Sequence, residues 1–293
     1  MRTTRVDTPF GRLESFEGDH ITEHLIEFGA YQRSDLAMLL SFVRQGDCVL
    51  DVGAHIGTFT VPLARAVGAN GRVFAFEPVA DHFELLSHNV VNNGLTGVVT
   101  PVRAAVANGA SPLYVMRVAG NSGATSFGST EGDPVGDMPI VSLDSWWDSG
   151  EARPSSVEVL KIDVEGMEYE VLSGAENLID TFRPVVHFEV CLERRPPLAE
   201  LNDFFSSRGY RFFVNCAVRN SATDAFKLAH LRHVRRLPHP HIFDVVAVDP
   251  GSSRWPRQAA NVLSTNFRLS TRAARARAGR LWEFVNGAGE GGQ

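Results

Sequence analysis

A short apolar run followed by an acid and two spaced glycines constrains this chain more than any other segment. Residues 48–50 predict a buried strand, which Asp51 extends. Gly53 and Gly57 then stand four residues apart, ahead of an apolar pattern of helical spacing that begins at Phe59. A strand, a glycine turn and a helix in this order are how an open α/β sheet brings its backbone close to a nucleotide-like ligand.

The spacing of the glycines indicates which ligand this turn suits. A dinucleotide-binding turn has the pattern G-x-G-x-x-G, in which the second glycine lets a pyrophosphate approach the backbone. His55 and Thr58 stand at the second and third glycine positions here, which disfavours the alternative of a nicotinamide-dependent oxidoreductase. The remaining pattern, D-x-G-x-x-x-G, suits a smaller ligand with an adenosine at one end and an amino acid at the other. We interpret it as a site for S-adenosylmethionine (SAM).

A second acid is placed to hold the ribose of such a ligand. Glu77 ends the apolar run 73–76, which predicts the next buried strand. A carboxylate at that position can accept hydrogen bonds from both ribose hydroxyls. Asp51 or Glu77 alone could equally cap the helix that follows it. The two acids together, around one strand–helix–strand unit, favour a nucleoside site.

Between about residues 46 and 248 the chain resembles the FkbM-type SAM-dependent methyltransferases. The resemblance is carried by the segments 51–57, 76–78, 89–93 and 141–144 and, most specifically, by the run 160–168, LKIDVEGME. The family usually has Asn where this chain has His55. The resemblance implies a Rossmann-like class I methyltransferase domain, an α/β fold with a mostly parallel seven-stranded sheet and helices on both faces. It also implies activity on hydroxyl groups, typically of sugars or polyketides.

The residues expected to bind the cofactor combine the glycine turn, the second acid and the positions that the resemblance adds. They are Asp51, Gly53, Ala54, His55, Gly57, Glu77, Pro78, Ala105 and Asp163.

Strand and helix patterns alternate from residue 46 onward, as in a parallel, doubly wound sheet. The predicted strands are 48–52, 72–76, 98–102, 157–162, 184–190, 210–214 and 242–248. Helices are predicted over 167–179 and 197–208. We expect the last two strands to form an antiparallel pair that closes the sheet, although only the resemblance supplies that strand order. The methyltransferase domain is therefore expected to span residues 46–250.

The segment 1–45 predicts an appendage of one β-hairpin and one helix. Apolar residues alternate over 8–28 around Gly18-Asp19, which indicates the hairpin. Residues 34–44 have helical spacing, with Ser34 as the expected N-cap. We expect this appendage to pack over the mouth of the cofactor site.

Two further segments depart from the pattern of the domain. Within 103–145, short strands are predicted near 113–116 and 139–141, with a loop rich in glycine and hydroxyl groups between them. This insertion, at about 119–137, is either an exposed hairpin tip or a lid over the cofactor or acceptor. The tail 251–293 has seven arginines against two glutamates. It predicts a basic surface helix, with a membrane-surface or nucleic-acid contact as the alternative.

Composition limits the expected partners and location. A net charge of −6 gives no reason to expect a nucleic-acid partner for the whole chain. The three cysteines have no CxxC spacing and are expected to be reduced. No apolar run approaches membrane-spanning length, and the first 16 residues contain no signal-peptide core. We therefore expect a cytoplasmic protein without a membrane span, with the N-terminal hairpin and the C-terminal tail as candidate surfaces for a homo-oligomer.

The predicted fourth and fifth strands end in groups that can act on an acceptor. Asp163 and Glu165 follow the strand 157–162, whereas His187 and Glu189 share one face of the strand 184–190. An aliphatic hydroxyl is a poor nucleophile at neutral pH, and a positioned base adds roughly 10²–10⁴-fold to its reaction. Asp163, Glu165 and His187 are therefore the catalytic candidates. Asp163 alternatively caps the helix that follows it.

A magnesium site is an alternative to simple base catalysis. Asp163 and Glu189 offer the hard oxygen ligands that Mg²⁺ prefers, and a bound ion would acidify the acceptor hydroxyl. Their placement is similar to that in the catechol-type methyltransferases. The FkbM resemblance does not by itself imply a metal, so both mechanisms stay open.

The acceptor itself is not determined by these motifs. A hydroxyl of a small molecule, sugar or polyketide-type product is expected, with a nitrogen acceptor or a macromolecule as the alternatives. Nucleic-acid methyltransferases that modify amino groups have a D/N-P-P-aromatic box after the fourth strand, which holds a flipped base. This chain has Asp163-Val164-Glu165-Gly166 at that place, which disfavours such an enzyme.

Overall fold

The fold is seen in a computed structural model of the chain. It describes residues 2–109, 114–116, 126–128, 133–134, 138–150, 153–190, 197–215, 231–234, 236–237 and 243–255. Most of the predicted lid at 119–137 and the tail beyond residue 255 lie outside the described residues.

The strands are β1 (Thr3–Thr8), β2 (Gly11–Phe16), β3 (Cys48–Val52), β4 (Arg72–Phe76), β5 (Val99–Val102), β6 (Ala105–Val106), β7 (Tyr114–Met116), β8 (Ser126–Gly128), β9 (Asp133–Pro134), β10 (Ile140–Val141), β11 (Val159–Ile162), β12 (Val185–Val190), β13 (Arg211–Asn215), β14 (Leu231–Val234) and β15 (Phe243–Val248). The helices are α1 (His20–Phe28), α2 (Arg33–Leu40), α3 (Thr60–Val67), α4 (Ala80–Asn92), α5 (Leu143–Asp148), α6 (Glu168–Ser173), α7 (Glu176–Phe182) and α8 (Leu198–Ser207).

The central sheet has the strand order β14-β13-β15-β12-β11-β3-β4-β5. Its strands from β12 to β5 pair in parallel, whereas β15 runs antiparallel to both β12 and β13. The predicted α/β, Rossmann-like fold is confirmed, and so is the antiparallel pair at its end. All seven predicted strands are present. β14, which was not predicted, pairs antiparallel with β13 and adds an eighth strand at that edge.

Helices cover both faces of this sheet, so its central strands are buried on both sides. Val49, Val159 and Val185 face a cluster that includes apolar residues of the N-terminal segment, α3 and α4. Leu50 and Leu160, one residue further along, face the second cluster, with apolar residues of α5 to α8. Among the described helices, none is long and apolar enough to cross a membrane.

The N-terminal hairpin lies earlier in the chain than predicted. β1 pairs antiparallel with β2, whereas residues 20–28 form α1. The prediction of a hairpin around Gly18-Asp19 is therefore wrong. Ile21, Leu25 and Phe28 are spaced four and three residues apart, which fits one face of a helix. The side chain of Asp19 caps this helix by accepting a hydrogen bond from the Ile21 amide at 2.9 Å.

Two predicted helices differ from those observed. α2 begins at Arg33 after Gln32, which adopts a left-handed conformation (φ 43°) and makes no side-chain capping bond. Ser34 is therefore not the N-cap, and the helix ends at Leu40 rather than Arg44. The predicted helix 167–179 is divided into α6 and α7 at Gly174, where a β-carbon would lie 2.7 Å from the Ala107 carbonyl oxygen.

The first residues assigned to the basic tail pack against the domain. The Arg254 guanidinium pairs with both carboxylate oxygens of Asp47 at 2.7 Å. The Trp255 ring meets the Phe213 ring edge-on, with a centroid distance of 5.2 Å. Residues 251–255 thus belong to the folded domain, and the predicted boundary at residue 250 lies too early.

Candidate active site

A cavity lies at the carboxyl ends of β3, β4, β5 and β11, where the strand order reverses between β3 and β11. Open α/β sheets bind their ligands at such a switch point. Seven of the predicted cofactor residues line this cavity: Gly53, Ala54, His55, Glu77, Pro78, Ala105 and Asp163. Asp51 and Gly57, the other two, are not among its lining residues.

The glycine turn after β3 leaves no room for a side chain at Gly53. The amides of Gly53 and Ala54 both donate to the Phe76 carbonyl, at 3.0 and 2.9 Å. Gly53 has a φ of 78°, and a β-carbon there would overlap the backbone carbonyl of Asp163. The ends of β3, β4 and β11 are therefore held together directly through this turn.

Glu77 ties the two loops that flank the cavity. Its carboxylate accepts hydrogen bonds from the backbone amides of His55 and Val79, both at 2.8 Å. The side chain is buried, yet it lines the cavity. Each oxygen of an ionised carboxylate has about two acceptor positions. One on each oxygen is thus left over for a ligand hydroxyl, which fits the ribose role expected for this residue.

Lys161 is a buried cation that the sequence analysis did not identify as a site residue. Its Nζ lies 3.1 Å from Asp51 Oδ1 and 3.7 Å from Asp163 Oδ2, and it donates to the Gly53 carbonyl at 3.1 Å. Burial alone would lower the pKa of Lys161, but Asp51 and Asp163 outweigh it, so the pKa lies above the ordinary lysine value. A lysine inside an apolar strand was the available signal, because a buried charge requires partners.

Asp51 supports the site from beneath the cavity. Its second oxygen accepts a hydrogen bond from the Thr60 hydroxyl at 2.6 Å. With Lys161 on the first oxygen, this carboxylate joins the first turn of α3 to β11. Asp51 therefore supports Lys161 from outside the cavity wall.

Three acids meet on the β11 and β12 side of the site. Carboxylate oxygens of Asp163, Glu165 and Glu189 all lie within 4.8 Å of one another. Asp163 and Glu165 also line the cavity. Glu165 adopts a left-handed conformation (φ 56°) just before Gly166 (φ 111°), which makes the turn after β11 tight. The two predicted metal ligands are thus brought together, with Glu165 as a third oxygen donor.

A buried acid, Glu168, stabilises the turn after β11. Glu168 accepts a hydrogen bond from the Gly166 amide at 3.0 Å, and burial raises the pKa of its carboxyl to about 7. Glu168 is 4% exposed.

His187 is buried on β12, two residues before Glu189. It pairs in register with Lys161 on β11, and its Nε2 lies 3.5 Å from Asp244 Oδ1. The ring is buried, which lowers its pKa, and it is not among the residues that line the cavity. Its role as a base stays a prediction, with less geometric support than Asp163 or Glu165 has.

The sequence profile of the Methyltransferase FkbM domain matches residues 51–212, which is more than half of the chain. The chain belongs to the FkbM methyltransferase family. This membership confirms the predicted family. The glycine turn, Glu77 and the three acids all lie inside the matched segment.

Individual relatives match over part of their length. Hexuronic acid methyltransferase AglP from Haloferax volcanii is 31% identical over 151 residues, which make up 52% of this chain and 59% of that protein. The solved FkbM methyltransferase from Methylobacillus flagellatus has a TM-score of 0.44 and 14% identity, over 71% of this chain and 47% of that one. A SAM-dependent O-methyltransferase from Thermotoga maritima has a TM-score of 0.42 and 16% identity, over 84% and 77% of the two chains.

Part of the cavity wall of this FkbM protein comes from outside the matched domain. Ile21 on α1, together with Tyr31 and Gln32 between α1 and α2, lines the cavity. The Tyr31 ring lies 5.7 Å from the His24 ring. The N-terminal segment therefore adds an aromatic and an amide group to a site whose other walls come from the strand ends and from the loops and helices that follow them.

Proposed function

We propose that this protein transfers a methyl group from SAM to a hydroxyl group of a sugar or another small molecule. One observation carries the proposal: a single cavity is lined by the nucleoside-type acid Glu77 and by the acids Asp163 and Glu165. A cofactor held at the first acid would thus share its cavity with an acceptor held at the other two.

The residues present fit the cofactor. Glu77 has acceptor positions left for the ribose hydroxyls after its two backbone bonds. The Gly53 turn brings bare backbone to the cavity, as the amino-acid end of SAM requires. Pro78 and Ala105 supply apolar wall on either side of the strand ends.

SAM supplies an activated methyl group on a sulfonium, so the remaining tasks are to align the acceptor oxygen and to remove its proton. Asp163 is the best placed base, because it lies at the switch point and lines the cavity. The Nζ of Lys161 lies 3.7 Å from an oxygen of this carboxylate and forms an ion pair with it. Glu165 is the second candidate for this role.

Metal assistance is a second candidate mechanism, favoured by the meeting of Asp163, Glu165 and Glu189. Three carboxylates with oxygens this close are suited to a hard cation such as Mg²⁺. Their mutual repulsion would be relieved by a cation, and an ion held there would acidify an acceptor hydroxyl. The described residues fit such an ion, and its effect on turnover separates the two mechanisms.

A sugar acid is the acceptor class that we favour. The relative from Haloferax volcanii is a hexuronic acid methyltransferase by name. Tyr31 and Gln32 place a ring and an amide at the cavity, groups that can pack on a sugar ring and hydrogen-bond its hydroxyls. A nitrogen acceptor or a macromolecule remains the alternative. Self-association through the hairpin or the tail also stays a prediction.

Transfer of a labelled methyl group tests this proposal. The protein is incubated with methyl-labelled SAM and, separately, glucuronic acid, galacturonic acid, glucose and extracts of the native host. Labelled product is then identified by mass spectrometry. Methylation of an oxygen on a hexuronic acid or on a glycan of the extract supports the proposal. Label only on nitrogen, or only on protein or nucleic acid, would establish an alternative acceptor.

A further inference from the structure

His55 has a ring without a hydrogen-bond partner among the described residues. Both of its ring nitrogens are buried, and neither makes a hydrogen bond within this part of the chain. His55 lines the cavity, and its ring packs on the His82 ring with a centroid distance of 4.1 Å. A buried polar group of this kind requires a partner, and the cavity is where a ligand can supply one.

The backbone fixes this ring beside Glu77. His55 has a φ of 50°, a conformation that side-chain-bearing residues rarely adopt. Its amide donates to Glu77 Oε2 at 2.8 Å, and His82 Nδ1 lies 3.6 Å from Glu77 Oε1. Strained residues that the surrounding structure holds in place are concentrated at ligand sites. The turn thus sets an imidazole next to the carboxylate expected to hold the ribose.

The ring is held in its neutral form. Burial lowers the pKa of His55 well below the ordinary histidine value, and the neighbouring His82 and Lys161 lower it further. A neutral imidazole has one N–H donor and one acceptor nitrogen. Glu77, in contrast, can only accept. The two side chains together offer both kinds of hydrogen-bonding group within one stretch of the wall.

A ribose hydroxyl needs both kinds of group, because it donates one hydrogen bond and accepts others. We propose that the His55 ring donates to a ribose hydroxyl oxygen whose proton is directed at Glu77, and that His82 holds the ring in place. The inference rests on the proposed binding of SAM, and it adds that ribose recognition in this chain depends on an imidazole.

Calorimetric titration with S-adenosylhomocysteine (SAH) and its 2′-deoxy and 3′-deoxy analogues tests this role without the acceptor. The titrated proteins are the wild type, His55→Gly and His55→Asn, with His88→Ala as a control on the exposed side of α4. Glycine removes the ring and tolerates a positive φ. A loss of affinity in His55→Gly would therefore come from the ring and not from backbone strain.

We expect wild type to bind SAH about 3- to 10-fold more tightly than at least one deoxy analogue, the factor that one hydrogen bond provides. In His55→Gly, SAH affinity falls by a similar factor and the preference over that analogue shrinks. His55→Asn, which also tolerates this φ and keeps a donor, recovers part of the preference. His88→Ala binds like wild type.

Two results would overturn the inference. Equal SAH affinity in wild type and His55→Gly would show that the ring makes no ligand contact. Equal losses for SAH and both analogues in His55→Gly would place the contact away from the ribose. Failure of wild type to bind SAH would instead overturn the proposed function, so the two failures are distinguishable.

Discussion

The two faces of the sheet differ along β3, β11 and β12. One face, the apolar face, carries apolar residues as far as the ends of the strands. The other, the polar face, carries polar residues from the middle of the strands onward. Leu50, Leu160 and Val186 form one row across the three strands. The next row, on the opposite face, is Asp51, Lys161 and His187. All six residues are at most 2% exposed.

The difference shows which face maintains the fold and which carries the site. Burial of a leucine stabilises a fold by about 1.5–3 kcal/mol. Replacing a buried ion pair by well-packed apolar residues is often neutral or stabilising. Packing alone therefore gives no reason for Asp51 and Lys161 inside this sheet. The reason for their presence lies in their contacts with Thr60, Gly53 and Asp163, because these contacts position the turns that line the cavity.

The largest effect is expected for the acid at the end of the polar face. Asp163→Asn should lower turnover by about 10²–10⁴-fold, because it removes the proposed base or metal ligand. SAH affinity should change by no more than a few-fold, since the proposed binding of the cofactor is through Glu77 and the glycine turn. Steady-state kinetics with an identified acceptor and calorimetry measure the two quantities.

Chelation separates the two roles of Asp163. Activity that is lost in EDTA and restored by Mg²⁺ would support the metal site, and Glu165→Gln and Glu189→Gln should then both be impaired. Full activity in EDTA with an inactive Asp163→Asn supports base catalysis. Near-wild-type turnover in all three acid variants and in His187→Ala would mean that the active centre has been placed wrongly.

A direct comparison of the two faces comes from Lys161→Met and Leu160→Ala. Lys161→Met leaves Asp51 buried without its cation, and we expect the free energy of unfolding to fall by about 3–5 kcal/mol. Leu160→Ala should lower it by about 2–5 kcal/mol through a cavity. The two variants should differ in SAH affinity. Lys161→Met should lower it by about 10-fold, whereas Leu160→Ala should leave it unchanged.

Denaturant unfolding and calorimetry on the folded variants give these values. Adding Asp51→Asn to Lys161→Met should restore part of the lost stability, because it removes the uncompensated carboxylate. If Leu160→Ala weakened SAH binding as much as Lys161→Met, the division between the faces would be wrong.

The close approach of the Gly53 turn to the Asp163 carbonyl is tested by comparing two glycines. Gly53 (φ 78°) and Gly209 (φ 76°) have similar backbones. A β-carbon at Gly53 overlaps the Asp163 carbonyl, whereas one at Gly209 meets no described atom within 4 Å. Gly209→Ala should cost about 1 kcal/mol in strain. Gly53→Ala should cost roughly 2–3 kcal/mol and weaken SAH binding. Equal unfolding free energies would contradict the close approach of the two strand ends.

An effect that depends on pH is expected at Glu168, the buried acid beneath the Asp163 turn. Its pKa in the folded protein is about 7, above the ordinary value of 4.5, so the folded state keeps a proton that the unfolded state releases. The associated stability is complete below pH 4.5 and is lost as the pH rises through 7. Glu168→Gln should thus be more stable than wild type at pH 8, by roughly 2–3 kcal/mol, with the difference vanishing near pH 4.5. Melting temperatures at both pH values measure this, and a pH-independent difference would show that Glu168 is already ionised.

The strands and the cavity-lining residues of the glycine turn were predictable because their signals are local. Residues 48–57 contain a strand, an acid and the glycines of one turn, and Glu77 ends the next strand. The position of the N-terminal hairpin was not predictable, because the apolar pattern over 8–28 is compatible with both the strand period and the helix period. Only the Asp19 cap and the spacing of Ile21 from Leu25 favour a helix there. Lys161 was overlooked because its partners, Asp51 and the Gly53 carbonyl, are over 100 residues away in the chain.

The acceptor side could not be derived in the same way. Tyr31 and Gln32 approach the cavity through the packing of α1 and α2, which no motif encodes. The contact of His187 is with Asp244, a residue of β15 that pairs with β12 only in the folded sheet.

The central claim, that the switch point of this sheet holds SAM, is tested most directly by calorimetric titration of SAH into wild type and Glu77→Ala, with NADH as the competing ligand. We predict one equivalent of SAH per chain in wild type and no preference for NADH. In Glu77→Ala, affinity should fall by about 10-fold or more, because each hydrogen bond to a charged group contributes about 1.5–3 kcal/mol. Unchanged SAH affinity in Glu77→Ala, or tighter binding of NADH than of SAH by wild type, would contradict the account.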